Sequence, residues 1–81
     1  MQKVTNDYEA DMEFGRWLRA QRVALGLTIE QAAEKTAIAS SRLKSLEVGY
    51  AEKGITKAES EKLCALYRID LKEFLRRASA A

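Results

Sequence analysis

Twenty-two residues near the middle of the chain, TIEQAAEKTAIASSRLKSLEVG from Thr28 to Gly49, leave it little freedom in how to fold. Thr28 followed by Gln31 spells a capping box, in which the threonine accepts a backbone N–H and the glutamine reaches back. The helix opened there is predicted to end near Thr36. Ala37-Ile38-Ala39 form a short break, and a further helix runs from Ser40 to Val48 until Gly49 stops it. Two helices of about eight residues joined by three cross steeply only where small side chains fill the contact. Ala33 is expected to supply that smallness, Ile38 to plug the gap beneath the turn, and Leu43 and Leu46 to close it. A plain pair of antiparallel helices in a small bundle meets the same pattern, so geometry alone leaves both arrangements open.

The flanks repeat the helical signals. The chain has no proline and four glycines, three of which (Gly26, Gly49 and Gly54) fall at expected breaks. Strand-like alternation is absent, so the fold class is all-α. A first helix is predicted from Asp11 to Leu25, with Phe14, Leu18, Arg22 and Leu25 on one face. Residues 50–55 form a loop. Thr56 with Glu59 makes a second capping box and opens a helix through Tyr67, with Leu63, Leu66 and Tyr67 inward. Asp70 with Glu73 repeats the device for a short last helix carrying Leu71, Phe74 and Leu75. Phe74 and Leu75 either extend the core or form a dimer seam. Residues 1–10 are expected to be a flexible arm, 11–77 the folded domain and 78–81 a frayed tail.

With 81 residues the chain holds one core and not two. It has no apolar run of about 18 residues, so no membrane span is expected. Its N-terminus lacks the apolar stretch of a secretory signal, which points to the cytoplasm. One cysteine, Cys64, and no histidine argue against a disulfide, a metal site or His-based catalysis. Cys64 falls at an inward position and reads as a packing residue. No nucleophile–base set or phosphate loop stands out, so neither an enzyme nor a cofactor nor a small-molecule substrate is expected.

The formal net charge is +2 but unevenly distributed. Residues 1–13 set Lys3 against Asp7, Glu9, Asp11 and Glu13 for a net −3, while residues 14–27 carry Arg16, Arg19 and Arg22 for +3. The acidic arm either favours the positive end of the first helix or meets a partner protein. A pI near 8.8 is compatible with a nucleic-acid partner without requiring one.

Four segments carry a resemblance: G-R-W-L-R-A-Q-R, L-G-L-T-I-E-Q-A-A-E-K, I-A-S-S-R-L-K-S-L-E-V-G and, towards the C-terminus, L-C-A-L-Y-R-I-D-L-K-E-F-L. In this order the chain from Phe14 to Leu75 resembles the lambda-repressor-like, Cro/XRE-type helix-turn-helix domains. The resemblance implies a compact five-helix domain with the helix-turn-helix at its second and third helices. It places Arg22 and Glu47 on the family's structural ion pair, which locks the third helix against the first; Arg22 on a DNA phosphate is the alternative. It places Ser40, Ser41, Lys44 and Ser45 at positions that contact base edges in the major groove, the bland alternative being a solvated face. Serine reads little by itself. Arg16, Arg19, Thr28, Arg42, Tyr50, Lys53 and Lys57 become candidates for phosphate contact.

The chain also departs from the family. Ile29 stands where a phosphate-binding Gln or Ser is usual. Ala37 and Arg68 replace habitual glycines; a non-glycine at positive φ costs about 1 kcal/mol. Ala32 stands for a leucine, and Trp17 is a candidate to fill the missing volume. Lys53 and Lys57 face Glu52 in a loop region usually richer in base.

Two functions compete on this scaffold. One is a sequence-specific regulator that binds double-stranded DNA, with the third helix in the major groove and a homodimer on a palindromic site. The other is a protein-interaction module that keeps the scaffold without reading DNA, as do some similar domains at the cytoplasmic end of membrane-anchored cell-shape proteins. A regulatory protein partner is compatible with either.

Overall fold

The computed structural model describes residues 2–49 and 54–79, with side chains from Met12 to Gly49 and from Gly54 to Ala78. Among them are five α-helices and no strand: α1 Gln2–Ala24, α2 Ile29–Thr36, α3 Ser40–Val48, α4 Lys57–Tyr67 and α5 Leu71–Ser79. The fold is therefore all-α with a helix-turn-helix at α2 and α3. Among the described residues no helix is long and apolar enough to cross a membrane. Residues 50–53 and 80–81 lie outside the described set, as do the candidates Tyr50 and Lys53.

Two of the capping signals form complete boxes. Thr28 accepts the Gln31 N–H at 3.1 Å, and Gln31 Oε1 accepts the Thr28 N–H at 2.9 Å. Thr56 and Glu59 do the same at 3.1 and 2.9 Å. Each pair satisfies two backbone donors that a helix start leaves without partners. The third signal forms only half a box. Asp70 accepts the Glu73 N–H at 3.3 Å, but the Glu73 carboxylate turns to Arg76 and Arg77 at 2.6 and 3.2 Å.

The first helix differs from expectation at both ends. It starts at Gln2 rather than Asp11, and neither proline nor glycine interrupts the sequence before Gly15. It ends at Ala24, where Gly26 adopts φ +70°. The Leu27 N–H bonds back to Arg22 O at 3.2 Å and the Gly26 N–H to Val23 O at 2.9 Å, the paired bonds of a Schellman stop. Leu25 sits in that turn and is 52% exposed, so it does not belong to the inward face predicted for it.

Leu18, Ala32, Ile38, Leu43, Leu46, Leu63, Cys64, Tyr67 and Phe74 make up the buried core. Phe74 is fully buried, whereas Leu75 is exposed; the last helix therefore contributes its phenylalanine to the core and leaves the neighbouring leucine outside. Ala32, not Ala33, is the fully buried alanine of α2, with Ala33 only partly covered. Trp17 packs between Phe14 and Phe74, with ring centroids 5.8 and 5.6 Å away. The Arg77 guanidinium lies 4.8 Å above its ring. The tryptophan thus ties α1 to α5 through offset aromatic contacts and a cation–π contact.

Candidate nucleic-acid interface

The turn between α2 and α3 holds together through Thr36. Its buried hydroxyl donates to Ala32 O at 2.8 Å and accepts the Ile38 N–H at 3.2 Å. Ala37 takes φ 61°, a left-handed conformation that strains any residue with a Cβ. With Ile38, Leu43 and Leu46 buried below the turn, α3 is presented with its opposite side outward.

On that side Ser41 and Lys44 are exposed and Ser40 and Ser45 partly covered. The Ser45 hydroxyl donates to Ser41 O at 3.1 Å, which directs its proton to its own helix and leaves its lone pairs outward. The structure therefore places all four base-contact candidates on one short helix, about 13 Å long at 1.5 Å per residue.

Two arginine forks hold α3. At its C-terminal end Arg22 donates from Nε to Glu47 Oε2 at 2.8 Å and from Nη2 to Oε1 at 2.9 Å. Its Nη1 reaches Leu27 O at 2.8 Å. The pair is largely covered, at 12% and 8% side-chain exposure, and the bonds to Glu47 raise the arginine's pKa against the opposing effect of burial. The fork is directed inward, at Glu47 and at Leu27 O just past the turn that ends α1.

Beside that pair, α1 crosses α3 through Gly15. A Cβ at this position would collide with the Glu47 carbonyl oxygen and stand 2.8 Å from Leu46 O. Only glycine lets the helices approach so closely. Gly15 has no expected role among the sequence features above, although an isolated glycine inside a helical pattern signals such a contact.

Towards the N-terminal end of α3, Arg42 donates from Nε to Glu59 Oε2 at 2.8 Å and from Nη2 to Oε1 at 3.0 Å. Nη2 also reaches Gly54 O at 2.6 Å. The exposures, 26% and 18%, make this the wetter of the two pairs. Hydrogen bonds from Arg42, and lesser ones from Thr56, overcome burial and hold the Glu59 carboxyl down at about 2. Arg42, expected on a phosphate, is instead engaged within the domain because Glu59 and Gly54 O lie within reach of its guanidinium.

The remaining phosphate candidates separate. Arg16 and Arg19 are exposed on α1, next to the Gly15 crossing and hence near the C-terminal end of α3. Lys57 opens α4 between Gly54 and Glu59, which brings it near Arg42 at the other end. Thr28 caps α2, and its hydroxyl, while accepting from Gln31, retains its own proton to donate. Ile29 packs against the core and offers no donor from its side chain.

Residues 17–55 match a family model described as a helix-turn-helix domain. No curated protein matches the chain. The matched segment starts at Trp17 in α1, contains all of α2 and α3 and ends at Ile55 before α4, in agreement with the lambda-repressor-like, Cro/XRE-type resemblance. This stretch is therefore similar to a helix-turn-helix domain, the kind of unit that suggests DNA binding.

Proposed function

We propose that the protein is a sequence-specific double-stranded DNA-binding regulator whose α3 enters the major groove while α2 lies across the backbone. The observation that carries this reading is α3 itself, a short helix pinned by an arginine fork towards each end and presenting Ser40, Ser41, Lys44 and Ser45 outward. Rigid presentation matters because base readout requires donors and acceptors to meet base edges in fixed register. Three serines give modest discrimination, and Lys44 supplies the one long cationic reach among the four. Lys57, Arg16, Arg19 and the Thr28 hydroxyl are the proposed backbone contacts. Arg42 is reassigned from that set to the internal brace.

One domain of this size makes few contacts, so two copies on a palindrome are proposed, with half-site centres about 34 Å apart or a multiple of that. Titrating salt against binding to random duplex tests the electrostatic part. Several phosphate contacts give a log–log slope steeper than about −3, and binding that ignores salt or does not occur rejects DNA as the ligand. Selection from random duplex then returns a palindromic motif; a half-site bound by monomer rejects the dimer.

A second reading, a protein-interaction module, draws on Val48, which is 54% exposed at the end of α3, and on the exposed Val23 and Leu25 at the end of α1. Apolar side chains left in water favour a protein surface over phosphate. Failure of duplex binding in the salt titration would leave this reading in place.

A further inference from the structure

We infer that the Arg42–Glu59 fork is a positioning device that sets the rotation of α3 about its own axis, and that Arg42 contributes no charge to DNA. The inference rests on the DNA-binding reading and adds to it a residue that governs specificity without touching a base.

The geometry is that of a strut. Arg42 lies in the first turn of α3, between the outward residues Ser41 and Lys44, and its guanidinium reaches both Glu59 oxygens and Gly54 O. Glu59 Oε1 also accepts the Thr56 N–H at 2.9 Å, so the same carboxylate caps α4 and holds α3. A planar guanidinium that meets a carboxylate through two parallel bonds fixes orientation as well as distance. Rolling α3 by one residue's worth of rotation would break all of these bonds together, while the buried Leu43 and Leu46 resist it from below.

Electrostatics point the same way. The fork is a neutral unit, and a phosphate that approached Arg42 would meet the Glu59 carboxylate beside it. A lone arginine at the groove edge would attract every duplex alike. A paired one leaves non-specific attraction to the other cations and affects only how Ser40, Ser41, Lys44 and Ser45 are aimed.

The two roles separate on removal of Arg42. A phosphate-binding Arg42 would take its contact with it, and Arg42→Gln would flatten the salt slope on random duplex by about 0.9. A positioning Arg42 leaves that slope as in the wild type, while the ratio of selected-site to random-duplex affinity falls about tenfold in a variant that circular dichroism shows to be folded. Lys57→Ala, at a proposed backbone contact, is expected to flatten the slope by about 0.9 and to keep the ratio. In Glu59→Gln the amide oxygen still accepts the Thr56 N–H, so the cap is retained while Arg42 loses its anchor, and the ratio falls about tenfold as in Arg42→Gln. An Arg42→Gln whose slope flattens as that of Lys57→Ala does, or a Glu59→Gln with the wild-type ratio, overturns the inference.

Amide hydrogen exchange without DNA separates the two possible failures. Exchange at Lys44 and Ser45 is expected to accelerate about tenfold in both fork variants. Wild-type rates there overturn the strut whatever DNA does. Accelerated exchange in a protein that binds no duplex supports the strut and rejects the DNA-binding reading alone.

Discussion

The two ends of α3 are held by the same chemical device in different surroundings. At each end an arginine fork grips a glutamate and also donates to a carbonyl at the edge of a loop, Leu27 O in one case and Gly54 O in the other. The glutamates differ. Glu47 is the next-to-last residue of α3, where the partial negative charge of the helix end disfavours a carboxylate. Glu59 is in the first turn of α4, where the helix end favours it. Glu47 therefore depends on Arg22, while Glu59 would be comfortable without Arg42. The C-terminal fork is drier and backed by the Gly15 crossing; the N-terminal fork is wetter and stands beside the proposed readout residues. One end secures the fold and the other sets its aim.

Breaking the drier fork should produce the largest effect. Arg22→Ala leaves the Glu47 carboxylate buried and alone, and urea unfolding should show a loss of about 3–4 kcal/mol, against about 1–2 kcal/mol for Arg42→Ala. Equal losses would erase the distinction between the two ends. The next effect in size belongs to Gly15→Ala, whose methyl meets backbone rather than a side chain that can swing away. A loss of about 2–3 kcal/mol is expected, although alanine is the better helix former by about 1 kcal/mol. An unchanged or raised melting temperature would show that the helices can part at no cost.

Acid sharpens the comparison further. Folding lowers the Glu59 pKa to about 2 from its ordinary 4.5, so the folded state binds this proton less readily than the unfolded one. The corresponding stability is complete above about pH 4.5 and is lost as pH falls towards 2. Glu59→Gln should be less stable near neutrality and show a shallower decline over that window. A decline as steep as that of the wild type would assign the acid sensitivity elsewhere. The smallest effect concerns the turns. Ala37 and Arg68 both hold left-handed backbone at φ 61° and 59°. Glycine at either position should raise stability by up to about 1 kcal/mol, relief of strain outweighing the entropy glycine adds to the unfolded chain.

Where a local rule governs, the sequence was a good guide. The boxes at Thr28 and Thr56 set the starts of α2 and α4 within the span of four residues, and Gly49 marked the end of α3. The strained backbone at Ala37 and Arg68 was legible only through the resemblance, which implies glycine at both positions. Contacts between elements were harder to read. Nothing near Arg42 in the chain announces Glu59, seventeen residues away, so its charge suggested phosphate. Leu25 looked like a face residue because periodicity does not show where a helix ends. Ala32 and Ala33 are equally small, and only the packing distinguishes the buried one. Thr36 gave no signal, because its two bonds exist only once the turn has formed.

The placement of Trp17 gives the molecule an intrinsic optical gauge. It is the one tryptophan in the chain, and its ring meets Phe14 from its own helix and Phe74 and Arg77 from α5. Its emission should therefore shift to the red when α5 undocks, with no label attached. Changes confined to the α3 forks should leave that emission in place while they alter binding. The two halves of the domain's behaviour, whether it is assembled and whether it is aimed, can in this way be followed in one cuvette by separate signals.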